Sequence, residues 1–116
     1  MTTRVGEQGA PTAPPGVDLE TAAALLRLLG DRTRLGILAV LAEGERPVSV
    51  IAESVDRPLP AVSQHLAKLR MGGLVTTRRE GTTVYYAVMN GHVSALVKNA
   101  IHHAEHLRYP DPPHHR

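Results

Sequence analysis

Apolar periodicity is absent from the first 17 residues, where Gly6, Gly9, Pro11, Pro14, Pro15 and Gly16 leave little large apolar surface to repay ordering. A flexible N-terminal arm is expected over 1–17. At Asp18 the pattern changes: behind this capping carboxylate, Leu19, Ala22, Ala23, Leu26 and Leu29 recur at helical spacing until Gly30. Asp31 opens a second helix, in which Leu35, Leu38, Ala39 and Ala42 share a face with Ile37 and Leu41 beside it, up to Gly44. After Pro47 a short helix carries Val50, Ile51 and Val55. Arg57-Pro58-Leu59-Pro60 then turns the chain into another helix with proline near its first position, where the missing N–H costs nothing. Val62, Leu66 and Leu69 form its buried stripe, and Gly72-Gly73 stops it.

The period then shortens from helical to alternating. Leu74-Val75-Thr76-Thr77-Arg78-Arg79 and Thr83-Val84-Tyr85-Tyr86-Ala87-Val88 are β-prone runs on either side of Glu80-Gly81, whose glycine suits a hairpin turn. A last helix runs from about Gly91 to Leu107. Short helix, tight turn, longer helix and hairpin, in that order, predict a mainly α winged helix-turn-helix with a β-hairpin wing. In that arrangement the longer helix enters the major groove of DNA. The expected organisation is an arm over 1–17, a winged-helix domain over 18–107, and a histidine-containing tail over 108–116.

Composition narrows the chemistry. A chain of 116 residues with 42% apolar content builds one small domain with a modest core, a shortage that dimerisation would relieve. There is no cysteine, so disulfides, thiolate metal sites and thiol redox sensing are excluded, and any metal must be held by nitrogen and oxygen. No apolar run approaches the roughly 18 residues of a membrane span and the N-terminus lacks a signal-peptide core, so a cytoplasmic location is expected. A formal charge of +2 is too small to indicate nucleic-acid binding by itself; the positions of the charges decide it.

They sit where a DNA-binding winged helix needs them. With Val62, Leu66 and Leu69 turned inward, Ala61, Ser63, Gln64, His65 and Lys68 are left for solvent or DNA. Serine, glutamine and histidine can bond base edges or phosphates, while Lys68 and Arg70 supply positive charge. Arg78 and Arg79 in the wing and Arg57 at the helix start suit backbone phosphate contacts. His65 lies beside the buried face, where a hydrogen-bonded structural role competes with a role at the DNA.

The last helix carries different chemistry. His103 follows His92 by eleven residues, and His106 follows three later. On a regular helix that eleven-residue step returns to within about 20° of the same face but about 16 Å along the axis. One helix therefore cannot bring His92 and His103 to one ion, whereas a second copy running antiparallel could, which predicts a two-fold dimer with metal sites between subunits. His103 and His106 are i, i+3 neighbours, and His102 and His106 are i, i+4 neighbours. Glu105 lies about 160° around the helix from His103, so the two cannot share an ion unless the last turn unwinds. Val93, Leu96, Val97, Ala100, Ile101 and Ala104 form an apolar stripe expected to pack in the dimer.

Leu35-Gly36-Ile37-Leu38, the run from Val62 to Arg70, Gly73-Leu74-Val75, and Arg79-Glu80-Gly81 followed by Tyr86 together resemble the ArsR/SmtB family of metal-responsive repressors, over roughly residues 18 to 107. The resemblance implies a homodimer joined through its first and last helices. Such a dimer binds double-stranded operator DNA without metal and releases it when metal binds, derepressing efflux or detoxification genes. The family's cysteine-based site on the third helix needs Cys-x-Cys, where this chain has Val48-Ser49-Val50. Its last-helix site follows the pattern Asp-x-His, ten residues, His, two residues, Glu or His. Here Asn90-Gly91-His92, His103 and His106 match three of the four ligand positions. The fourth has become Asn90, whose amide oxygen is a poorer ligand than a carboxylate and whose simplest role is to cap the helix.

Gln64 through Met71, Arg78 through Thr83, Ala104-Glu105-His106 and the ending His114-His115-Arg116 resemble the nickel- and cobalt-sensing members of the family. That resemblance places His92, Glu105, His106, His114 and His115 on ligand positions, while His103 matches the general last-helix pattern. A tail supplying two imidazoles permits five or six ligands, which favours Ni(II) or Co(II) as effector over four-coordinate Zn(II); nitrogen and oxygen donors alone leave Zn(II) open. Two other classes remain: a winged-helix regulator that senses no metal or takes an organic ligand, and a metal-buffering protein, which would leave Ser63, Gln64, Lys68 and the arginine wing without a purpose. No nucleophile and base stand together near the histidines, so an enzyme is not expected.

Overall fold

A computed structural model describes residues 15–109, so the expected tail ligands His114 and His115 and most of the expected arm lie outside the described residues. In chain order the elements are α1 (Leu19–Leu29), α2 (Arg32–Ala42), β1 (Arg46–Pro47), α3 (Val48–Val55), α4 (Leu59–Met71), β2 (Val75–Glu80), β3 (Thr83–Val88) and α5 (Gly91–Arg108). α1 and α2 start where short polar side chains take up orphan N–H groups, whereas α3 and α4 follow Pro47 and Pro58 without a side-chain cap. The Asp18 carboxylate accepts from the Thr21 backbone N–H at 2.9 Å, and that of Asp31 from the Arg34 N–H at 2.9 Å. These bonds hold both carboxyls below the usual carboxylate range, Asp18 chiefly through the Thr21 hydroxyl and Asp31 through the Arg34 N–H.

α3 and α4 form the helix-turn-helix. α3 ends at Asp56, which takes the left-handed conformation at φ 56°, tolerable for a short polar side chain. Pro58 precedes α4 and Pro60 sits in its first turn. Val62, Leu66 and Leu69 of α4 are fully buried, with Ile37 and Leu38 of α2, Ile51 of α3 and Val97 of α5 around them. The three-stranded sheet runs β1-β3-β2, entirely antiparallel. Glu80 pairs with Thr83 across a turn in which Gly81 has φ 64°, so the wing tip is only two residues long. No helix among the described residues is long and apolar enough to cross a membrane.

Three details depart from the sequence pattern. β1 is a two-residue strand that pairs Arg46 with Tyr86 and Pro47 with Tyr85; so short a segment, half of it proline, carries no alternation to detect. On α3, Val50 is exposed while Ala52 joins Ile51 inside. The expected dimer stripe of α5 is divided. Val93 and Val97 are buried in the protomer's own core with Leu96 and Ile101 packed against it, leaving Ala100 and Ala104 outside. A domain with so little apolar surface needs α5 to complete its own core first.

Asn90 caps α5, its side-chain oxygen accepting from the His92 N–H at 3.0 Å and the Val93 N–H at 3.1 Å. Asn90→Ala is expected to cost about 1 kcal/mol of stability through the lost cap, whereas Asn90→Asp should keep it. Thermal unfolding of the variants checks this, and an unchanged midpoint for the alanine variant would remove Asn90 as a cap.

Candidate DNA interface and metal-binding helix

Once α4 has committed Val62, Leu66 and Leu69 to the core, its remaining faces are set by the helical period. Ser63, Gln64, Lys68 and Arg70 are exposed, and Ala61 is half-buried. Lys68 and Arg70 also stand in the last turn, where their charge complements the helix carbonyls. Arg57 is exposed in the turn before α4. Hydroxyl, amide and ammonium groups thus share the outward surface of the second helix of a helix-turn-helix. Such a surface can bond base edges and phosphates together.

His65 is different. It is half-buried against the start of α2, its Nδ1 lying 3.5 Å from Arg34 Nη1 and 3.9 Å from Asp31 Oδ2. A guanidinium has no acceptor, so in the contact with Arg34 Nδ1 must accept, which puts the ring proton on Nε2. The structural role that competes for this residue therefore has specific partners.

In the wing, Arg78 and Arg79 alternate across β2. Arg78 is held within the protein: Nε donates to Glu45 Oε1 at 2.9 Å, Nη1 donates to Glu80 at 2.8 Å, and the guanidinium lies 4.7 Å over the Tyr85 ring. Arg78 in turn holds the Glu45 carboxyl below its usual range, and the two carboxylates push the guanidinium upward. This clamp ties the hairpin to the segment before β1. It leaves no trace in local spacing, because Glu45 and Arg78 are 33 residues apart and lie on no common helix. Arg79 is exposed on the next position.

On α5, His92 is exposed at the N-terminal end, and His103, Glu105 and His106 are exposed near the other. Glu105 and His102 line a groove of about 450 Å³ between α5 and α2, with Ala39, Glu43, Val97 and Ile101. The His106 ring packs edge-on against His102, centroids 5.0 Å apart. Among the described residues, no three His, Asp or Glu side chains of one protomer converge on a point that could hold a metal ion. The donor set suits an imidazole- and carboxylate-binding divalent ion. It fits one only if donors arrive from a second copy or from beyond residue 109.

Residues 29–78 match a family model described as a helix-turn-helix domain. The chain is similar to the HTH-type transcriptional regulator KmtR of Mycobacterium tuberculosis, 51% identical over 92 residues that span 79% of this chain and 71% of KmtR. It is similar also to the HTH-type transcriptional repressor SmtB of the same organism, 37% identical over 94 residues covering 81% of this chain and 70% of SmtB. Among solved structures it resembles the homodimeric winged helix-turn-helix DNA-binding domain of Mb0332 from Mycobacterium bovis, a possible ArsR-family transcriptional regulator. There the TM-score is 0.71 at 33% identity, over 85% of this chain and 92% of that one.

Proposed function

The chain belongs to the ArsR/SmtB family of transcriptional repressors, and from that premise we propose that it binds operator DNA as a metal-free homodimer and is released by Ni(II) or Co(II). Its relatives are DNA-binding regulators with a winged helix-turn-helix fold, and it is not an enzyme. The observation that carries the metal reading is the division of donors along α5, with His92 at one end and His103, Glu105 and His106 at the other. A second, antiparallel copy brings the missing half to each end. Exposed Leu19 and Leu26 on α1 and Leu107 on α5, at 54%, 57% and 71% of full exposure, supply apolar surface for such a copy to cover.

In this mechanism Ser63, Gln64 and Lys68 enter the major groove, with Arg57, Arg70 and Arg79 on backbone phosphates. Two α4 helices must then meet grooves about 34 Å apart. The bound ion supplies a link between the two copies of α5. His92 of one copy and His106 of the other would hold the ion, and either His103 or Glu105 would complete the set, since a regular helix points these two about 160° apart. His114 and His115 are further donors under the resemblance to the nickel and cobalt sensors. Moving the copies relative to one another takes the α4 pair out of register, and DNA weakens metal binding by the same factor.

The test is titration of the dimer onto an operator duplex, alone and with Ni(II), Co(II) or Zn(II). Tight metal-free binding that weakens by roughly 5- to 150-fold with Ni(II) or Co(II) is expected. A response to Zn(II) alone would reassign the metal at the same helix, and equal affinity under all conditions would leave a regulator that senses no metal.

A further inference from the structure

The hinge between the first helix and α4 is built from side chains that neither DNA contact nor metal binding uses. At the C-terminal end of α1 the last carbonyls face Arg34 of α2: its Nε donates to Leu28 O at 2.7 Å and its Nη2 to Arg27 O at 3.4 Å. The same guanidinium reaches across to the middle of α4, with Nη1 3.5 Å from His65 Nδ1. Its backbone N–H is meanwhile fixed by the Asp31 cap. A second contact joins the same two helices further along. Leu28 of α1 packs into the space left by Gly72, the residue that caps α4, and a Cβ added at Gly72 would collide with Leu28 Cδ1. The last turn of α1 is thus joined to α4 at two points, through Arg34 of α2 at His65 and directly at Gly72.

We infer that Arg34 is a positioning residue that fixes the angle of the DNA-reading helix α4 to α1, and so transmits the arrangement of the two subunits to the DNA. The inference rests on the proposed dimer, in which α1 meets its partner copy. A guanidinium suits such a linkage, because its planar donors bond carbonyls on one helix and an imidazole on another without rotating. In this scheme His65 belongs to the linkage, and its contribution at the DNA is the placement of α4. Lysine keeps the charge at position 34 but gathers its donors on one nitrogen, which cannot span the three acceptors that Arg34 Nε, Nη1 and Nη2 reach.

The operator recovered by the wild-type dimer from random duplexes, and the same duplex with one base pair inserted between its half-sites, serve as probes. Full-length wild-type, Arg34→Ala, Arg34→Lys, His65→Ala and Arg34→Ala/His65→Ala proteins are titrated onto both without metal, with thermal midpoints recorded alongside. An inserted base pair rotates one half-site by about 35°, so the wild type should prefer the operator by about tenfold or more. Arg34→Ala, and Arg34→Lys nearly as much, should lose most of that preference. The double variant should lose no more than either alanine single variant, because both single changes break one linkage. Preference retained in folded Arg34→Ala, or additive losses in the double variant, would overturn the inference; if the alanine variant does not fold, Arg34→Lys decides. A wild type without any preference would remove the dimer reading and this inference with it. A further arm adds Ni(II): a wild type that discriminates spacing yet ignores Ni(II) defeats the metal reading alone and leaves the role of Arg34 supported.

Discussion

A His92→Ala protein is expected to bind operator DNA as tightly as the parent without metal, and to stay bound when Ni(II) or Co(II) is added. His92 is exposed in the first turn of α5, on a different element from the recognition helix, and only its backbone N–H is used in the fold, by the Asn90 cap. Removing the imidazole therefore leaves the DNA-reading surface and the core untouched. In the proposed site it deletes the sole donor contributed by that end of the helix. The ratio of affinities with and without metal should collapse from the tens expected of such coupling to about one. His106→Ala should behave alike. Fluorescence anisotropy on a labelled operator, with metal binding followed in parallel by the absorption of the Co(II) complex, checks both halves. Loss of metal-free DNA binding in His92→Ala would give this residue a structural role. Comparing His103→Ala with Glu105→Ala then identifies the remaining donor, because a regular α5 admits only one of them beside His106.

The second large effect lies in the core. Leu66 is fully buried on the inner side of α4, and the residues flanking it on the outer side are those assigned to DNA. Truncation to alanine leaves a cavity between α4 and its neighbours and should cost about 2 to 5 kcal/mol. In a domain of this size each kcal/mol lowers the unfolding midpoint by about 4–8 °C, so Leu66→Ala should melt roughly 10 °C or more below the parent. Its DNA affinity should fall even where the fold survives, because the helix that carries Gln64 and Lys68 loses its seat. Scanning calorimetry together with operator titration distinguishes this from a surface change; a shift of less than 2 °C or so would contradict the packing described for α4.

Most of the fold is legible in the spacing of apolar residues, because each element carries its own local signal. Asp18, Asp31 and Asn90 announce helix starts, Gly30 and Gly72 announce ends, and the Val62-Leu66-Leu69 stripe alone orients α4. What escaped is what depends on distant segments. β1 exists only because Tyr85 and Tyr86 of β3 are there to pair with it, and the division of the α5 stripe depends on how much core the other helices can supply. The candidate site shows the same split. Exposed groups on α4 follow from its buried ones, and the eleven-residue histidine step is plain in the sequence. The Arg34 linkage is not, although one signal was present. A basic residue six positions beyond Leu28, across a single glycine break, is well placed to bond the carbonyls that end the first helix. Nothing local pointed onward from there to His65, 31 residues away.

The placement of histidines at opposite ends of α5 has a consequence for dimers assembled from two different subunits. If each site takes His92 from one chain and His106 from the other, two defective subunits can complete one site between them. In a mixed dimer of one His92→Ala subunit and one His106→Ala subunit, one site lacks both imidazoles and the other has both intact. The purified mixed dimer should then release operator DNA when Ni(II) is added, although neither variant homodimer does, a rescue that a site contained within a single chain could never produce.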